Sequence, residues 1–184
     1  MNIYVLNKLI GESDMNKIIY LDHAATTGVD ELVLKEMIPY FSIEYGNASS
    51  LYSIGRSAKR AMEESRRKVA KEINAEIKEI YFTSCGSESD NLAIKGIAYA
   101  NKEKGTHIIT TKIEHHAVSE SCEFLEKQGF RVTYLNVDEK GFVNLKELEE
   151  SICKDTILIS IMFANNEIRY NRTNKANWRD SKKT

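Results

Sequence analysis

Residues 107–135 read HIITTKIEHHAVSESCEFLEKQGFRVTYL, and the fold class is decided inside them. His107 to Thr111 is a short run rich in β-branched residues, the composition of a strand buried on both faces. From Ala117 to Gln128 the period changes. Val118, Cys122 and Leu125 recur at helical spacing, with Glu and Lys filling the opposite face. Gly129 stands where a left-handed residue closes a helix. Val132 to Leu135 is then a second short strand-like run. Strand, helix and strand in so short a span need a crossover, and crossovers join parallel strands.

The same alternation extends outward. Ile80 to Thr83 and Ile157 to Phe163 read as further buried strands, and Ile18 to Leu21 as a shorter apolar run. Helical patterns cover Asp30 to Tyr40, where Pro39 is expected to end the helix, and Glu88 to Ala100. Ser57 to Ile73 reads as a long amphipathic helix with Ala58, Ala61, Met62, Ser65, Val69 and Ile73 on one face. Asn144 is placed to cap a helix that turns Leu145, Leu148 and Ile152 inward. Phe41 to Ser53 is loop-like. The expected fold is α/β, a mainly parallel sheet with flanking helices.

Composition narrows the function classes. With 42% apolar and 29% charged residues the chain can build a core. Lys and Arg number 26 against 27 Asp and Glu, so no basic surplus argues for nucleic acid. No apolar run has bilayer length, and the N-terminal residues lack the parts of a secretory signal. A cytoplasmic address, with neither membrane nor nucleic acid as partner, is expected. Cys85, Cys122 and Cys153 are widely spaced and odd in number, which suits reduced thiols. Cys122 and Cys153 read as core or near-core thiols; Cys85 reads as a packing residue whose pKa a neighbouring turn could lower.

Three places could carry chemistry. At Thr83-Ser84-Cys85-Gly86-Ser87-Glu88-Ser89 a strand-like run meets a helix, and the first backbone N–H groups of a helix attract phosphate. An ordinary capped turn accounts for the same residues. The glycine spacing fits neither a dinucleotide fingerprint nor a P-loop, which disfavours a nucleotide-binding domain. Glu114-His115-His116 follows the strand at 107–111, where ligands of open α/β sheets gather. An imidazole there can stack on a flat ring, move a proton or simply cap the next helix. Adjacent residues do not face one way, so no metal site is expected. Asn165-Asn166-Glu167 ends the last strand-like run and suits either a polar ligand or a turn.

Taken together, five segments resemble the cysteine desulfurases, class-V aminotransferase relatives among the fold-type I pyridoxal-phosphate (PLP) enzymes. They are YLDHAATT (20–27), YGNASS (45–50), TSCGSESDNLAIKG (83–96), HIITTKIEHHAV (107–118) and ISIMFANNEI (159–168). Ala48 departs from the proline usual after Gly-Asn, and Cys85-Gly86-Ser87 from Gly-Ala-Thr. The resemblance implies the N-terminal part of a large PLP-transferase domain over residues 15–168. It implies that Gly86 and Ser87 hold the PLP phosphate, that His115 stacks on the ring and assists proton transfer, and that Asn166 contacts the ring oxygen. The implied reaction is a transferase step, conversion of L-cysteine to L-alanine with sulfur passed through an enzyme persulfide. The implied partners are a second subunit in a homodimer and sulfur-acceptor or iron–sulfur scaffold proteins.

In that family the cofactor-bearing lysine, the pyridine-binding aspartate and the mobile cysteine lie beyond the Asn-Asn-Glu-Ile motif. Lys175, Lys182 and Lys183 lack the family's Ser-Gly-His-Lys setting. The chain as written is therefore expected to be an inactive, truncated piece; the alternative is a PLP-phosphate-binding or subunit-docking half-domain without catalysis. Residues 169–184 (RYNRTNKANWRDSKKT) lose all apolar periodicity and read as a disordered tail. A permitted set of codons for this tail, read from its second base, encodes Gly-Thr-Ile-Glu-Pro-Ile-Lys-Gln-Ile-Gly-Glu-Ile-Ala-Lys-Lys, the turn and amphipathic helix the family shows next. A single-base frameshift at Ile168/Arg169 is expected. Residues 1–14 read as translated leader, because Gly11-Glu12 can be encoded by a ribosome-binding sequence ahead of Met15. Sequencing the gene across Ile168 should show that shifting one base restores a family-like reading frame; a downstream frame with no such continuation overturns the frameshift.

Overall fold

The computed structural model describes residues 19–167. The expected leader at 1–14, the tail at 169–184, and Ile18 and Ile168 lie outside the described residues. Contacts divide the chain into two units, residues 1–62 and 63–184.

In the first unit, helix α1 (Glu31–Met37) starts at Asp30, whose carboxylate accepts from the Leu32 N–H at 2.8 Å. Pro39 does not merely end this helix. It opens a new turn, α2 (Pro39–Ser42), at the first position, where its missing N–H costs nothing. Helix α3 (Ser53–Glu72) begins four residues earlier than the apolar pattern suggests. The Gly46-Asn47 loop lies against its first turn. A Cβ on Gly46 would fall 2.4 Å from the Ile54 carbonyl oxygen, so only glycine fits. Glu44 accepts from the Ser57 hydroxyl at 2.7 Å and ties the same loop to the helix. Along α3 the expected apolar face is only partly covered: Ala58 is buried, whereas Met62, Val69 and Ile73 stay exposed and Ala70 is buried instead.

The second unit is α/β. Helix α4 (Gly86–Ala100) is followed by β1 (His107–Thr111), α5 (His116–Lys127), β2 (Arg131–Leu135), α6 (Leu145–Ser151) and β3 (Thr156–Ile159). The strands form a parallel sheet in the order β2-β1-β3. Ile108 and Ile109 are consecutive and therefore point to opposite faces, yet neither is exposed at all. Ile108 packs with Ile94 and Ala98 of α4, Val118, Cys122 and Leu125 of α5, and Phe130. Ile109 packs with Leu135 and with Leu148 of α6. Both faces of β1 are thus covered by helices, and all five of its residues are buried. Gly129 takes φ 90° and lets the Phe130 N–H reach back to the Leu125 carbonyl, closing α5. Asn144 caps α6, accepting from Lys146 and Glu147.

One expected strand is absent among the described residues. Ile80 to Thr83 is not paired among the described residues, and Tyr81 and Phe82 are exposed; its grip comes from Arg66, whose Nε donates to the Ile80 carbonyl at 3.1 Å and whose guanidinium lies 5.1 Å from the Phe82 ring centre. A β-branched run makes a strand only when a ladder partner is beside it. Ile19 to Leu21 is likewise unpaired and exposed. The last strand stops at Ile159, short of Phe163. No helix among the described residues is long and apolar enough to cross a membrane.

Thr110 on β1 is fully buried and its hydroxyl finds no hydrogen-bond partner among the described residues. A buried unsatisfied hydroxyl costs about 1–3 kcal/mol. Thr110→Val keeps the shape and should raise stability by about 1 kcal/mol in urea titration. A loss of stability would mean that the hydroxyl is satisfied.

Candidate functional site

The site is built on the carboxyl edge of the parallel sheet. Helix α4 ends at Ala100 and a short turn leads directly into β1, so α4 runs back along the sheet and starts at that edge. Cys85 precedes it in an extended conformation, and no side-chain oxygen caps its first turn. The Cys85 sulfur faces the Glu88 N–H and the Ser84 hydroxyl, which hold the exposed thiol below its ordinary range. Ser84 donates from its N–H at 2.6 Å and its hydroxyl at 2.7 Å to Glu88 Oε2, which lowers the Glu88 pKa. Thr83 and Ser89 share a 2.6 Å hydroxyl contact across the same turn. Space above Gly86 is open, since a Cβ there would meet nothing within 4 Å. The first N–H groups of α4 and these hydroxyls are donors of the kind a phosphate needs, with the Glu88 carboxylate already taking those of Ser84.

His115 stands at the start of α5, on the same edge. Its Nδ1 accepts from the Ala117 N–H at 3.1 Å, so the proton of the neutral ring rides on Nε2. The imidazole is exposed rather than packed. Capping and ring stacking are compatible, because the cap uses the edge of the imidazole and leaves its faces available.

After β3 the two asparagines divide their work. Asn165 is buried; its Nδ2 donates to the Ile113 carbonyl at 2.9 Å and its Oδ1 accepts from the Glu167 N–H at 2.8 Å. Asn166 is exposed beside it. Glu114 makes a second tie, accepting at Oε1 from the Thr111 hydroxyl at 2.7 Å and from the Met162 N–H at 2.9 Å. The segments after β1 and β3, which carry His115 and Asn166, are thereby held together. The structural roles of Glu114 and Asn165 were not read from the sequence, where both suited a ligand. Glu114 is engaged in this tie, and among the described residues no group of three His, Cys, Asp or Glu could hold a metal.

The comparisons with known proteins bear on this edge. The class-V aminotransferase model matches residues 19–168, which include every described residue. The chain belongs to the class-V aminotransferase family. It is 58% identical over 154 residues to a cysteine desulfurase IscS of Clostridium botulinum, covering 84% of this chain and 39% of that protein. It is 57% identical over 156 residues to the cysteine desulfurase IscS of Methanosarcina thermophila, covering 85% and 39%. Among solved structures it is similar to a NifS-like protein with TM-score 0.86 and 44% identity, covering 90% of this chain and 45% of that one. A structure described as SspA in complex with cysteine gives TM-score 0.76 and 41% identity, covering 80% and 43%. The chain therefore spans about two-fifths of the length of the curated relatives it matches. Members of this class-V aminotransferase and cysteine desulfurase group depend on PLP.

Asn165→Ala removes the tie between the β1 and β3 extensions and leaves the Ile113 carbonyl without its donor. It should cost about 1–3 kcal/mol and speed hydrogen exchange at the Glu167 amide, while Asn166→Ala leaves both nearly unchanged. Equal effects of the two substitutions would overturn this division of labour.

Proposed function

We propose that residues 15–168 are the cofactor-facing front part of a PLP-dependent cysteine desulfurase, acting on L-cysteine and passing its sulfur onward. The observation that carries the reading is the convergence on one sheet edge of the open α4 N-terminus, the His115 imidazole and Asn166. In this reading Gly86 and Ser87 bind the PLP phosphate through backbone N–H groups and the Ser87 hydroxyl. His115 stacks on the pyridine ring, fixed in orientation by its cap on Ala117, and its Nε2 is free to pass a proton. Asn166 orients the ring through its oxygen, while Asn165 and Glu114 hold Asn166 and His115 in register. Bound PLP supplies the electron sink.

The remaining expectations belong to the same proposal. The sulfur acceptors are iron–sulfur scaffold or thiolation proteins, the working unit is a homodimer, and the compartment is the cytoplasm. The similarity to cysteine desulfurases and to a protein solved with cysteine supports the substrate.

A chimera tests this directly: residues 15–168 grafted in place of the matching part of the Clostridium botulinum relative. It should take up PLP and release sulfide and alanine from L-cysteine. His115→Ala in the chimera should cut the rate by about 10²–10⁴-fold, and Ser87→Ala should weaken PLP binding. A chimera that loads PLP yet releases no sulfide overturns the desulfurase reading. Undiminished turnover in His115→Ala overturns the role of the imidazole.

A further inference from the structure

Helix α3 carries two neighbouring arginines that pair alike and are placed differently. Arg66 bonds Glu63 at 2.5 Å, and Arg67 bonds Glu64, each partner lying three residues back. The Arg67 side chain is 57% exposed, whereas that of Arg66 is only 19% exposed. A solvated pair on a helix surface contributes little, and Arg67 is such a pair. Arg66 does more. Its Nε donates to the Ile80 carbonyl at 3.1 Å, and its guanidinium stands 5.1 Å from the Phe82 ring centre. Glu63 takes Nη1 of the same group, so carboxylate, carbonyl and ring together fix the plane of the fork.

The segment that Arg66 grips has little else to hold it. A 3-10 turn (Ile77–Glu79) closes with the Ile80 N–H on the Ile77 carbonyl at 3.3 Å. Beyond it, among the described residues, no backbone hydrogen bond holds Tyr81, Phe82 or Thr83. Order resumes through side chains. The Thr83 hydroxyl donates to the Cys85 carbonyl at 3.1 Å and meets the Ser89 hydroxyl, and the Ser84 N–H meets Glu88. These contacts set the first turn of α4. Phe82 is the residue before Thr83, so its ring on Arg66 is the last fixed point before that turn.

We infer that Arg66 is a positioning residue for the phosphate turn, holding Ile80 and Phe82 so that the chain enters Thr83 to Ser87 along one path. The inference rests on the reading of Gly86 and Ser87 as the residues that hold the phosphate. Arg66 bonds neither of them; it acts through the backbone that leads to them. The first N–H groups of a helix bind an oxyanion best when already aligned, because ordering them on binding subtracts from affinity. A charge-assisted hydrogen bond and a ring contact are both directional, so together they fix the path of the segment as well as its place.

The full 184-residue chain is compared with Arg66→Met and Arg66→Lys by amide hydrogen exchange without ligand, and by affinity for pyridoxine 5′-phosphate and for pyridoxine. Neither probe has an aldehyde that surface lysines could capture. Arg66→Met should speed exchange at the Ser84 and Ser89 amides about tenfold, the scale of one lost charge-assisted hydrogen bond, and leave Ile108 and Ile109 on β1 unchanged. It should weaken pyridoxine 5′-phosphate about tenfold and pyridoxine little, because only the phosphate uses the turn. Arg66→Lys, with the charge but not the fork, should recover part of both effects. Phe82→Leu removes the ring contact alone and should show the same selective loss, which keeps the test open if Arg66→Met does not fold. Unchanged exchange at Ser84 and Ser89, or a loss spread evenly over β1 and both probes, overturns the inference. An unsubstituted chain with no preference for pyridoxine 5′-phosphate over pyridoxine overturns the phosphate reading of Gly86 and Ser87 instead, and leaves Arg66 with the grip but not the purpose.

Discussion

Burial of β1 on both faces is the constraint from which the rest of the second unit follows. Consecutive residues of a strand face opposite ways, so burying both Ile108 and Ile109 demands cover on both sides. One side is met by α4 and α5, the other by α6. Covering helices must return the chain to the start of the next parallel strand, so they run against the strands. Their N-termini then gather at the carboxyl edge. The meeting of the α4 N-terminus and an imidazole at the start of α5 on one edge is a consequence of how the central strand is buried.

What that geometry does not supply is fine register, and here buried polar groups act. His107 joins β1 to both neighbours at the amino edge through two threonine hydroxyls. Glu114 and Asn165 do the equivalent at the carboxyl edge. Such groups are costly if left unpaired inside a core, so the alignment that satisfies them is favoured over a slipped one. The exposed members of the site, His115 and Asn166, can present their polar atoms outward because buried neighbours fix their backbones.

Much of this was legible in the sequence, because period and capping are local. The α5 pattern, the Gly129 closure, the Asn144 cap and the parallel pairing of β1 with β2 follow from spacing and turn chemistry. Ile80 to Thr83 misled because a strand needs a partner, and partnership is not encoded in the run itself. Pro39 misled because its missing N–H is tolerated as readily at a helix start as at a helix end. Of the candidate site, Gly86, Ser87, His115 and Asn166 were identified through family resemblance, and the structure puts the elements carrying them on one edge. Glu114 and Asn165 were read as candidate ligands, since burial alone distinguishes a tie from a ligand. The grouping of His107, Thr133 and Thr156 was hidden in three separate strands, though each occupies a position facing the same way.

Cys85 and Cys153 show that the two edges lower a thiol pKa by different mixes of backbone and side-chain donors. At the carboxyl edge the backbone does it, because the sulfur lies against the first N–H groups of α4 and the helix dipole favours negative charge. At the amino edge, where Cys153 is exposed rather than near-core, side chains lead: the Thr156 hydroxyl and the Arg131 guanidinium lower the Cys153 thiol most, and the Asp155 N–H adds to them. The same direction of shift is therefore reached at one edge mainly from the start of a helix and at the other mainly from side chains that the strands bring together.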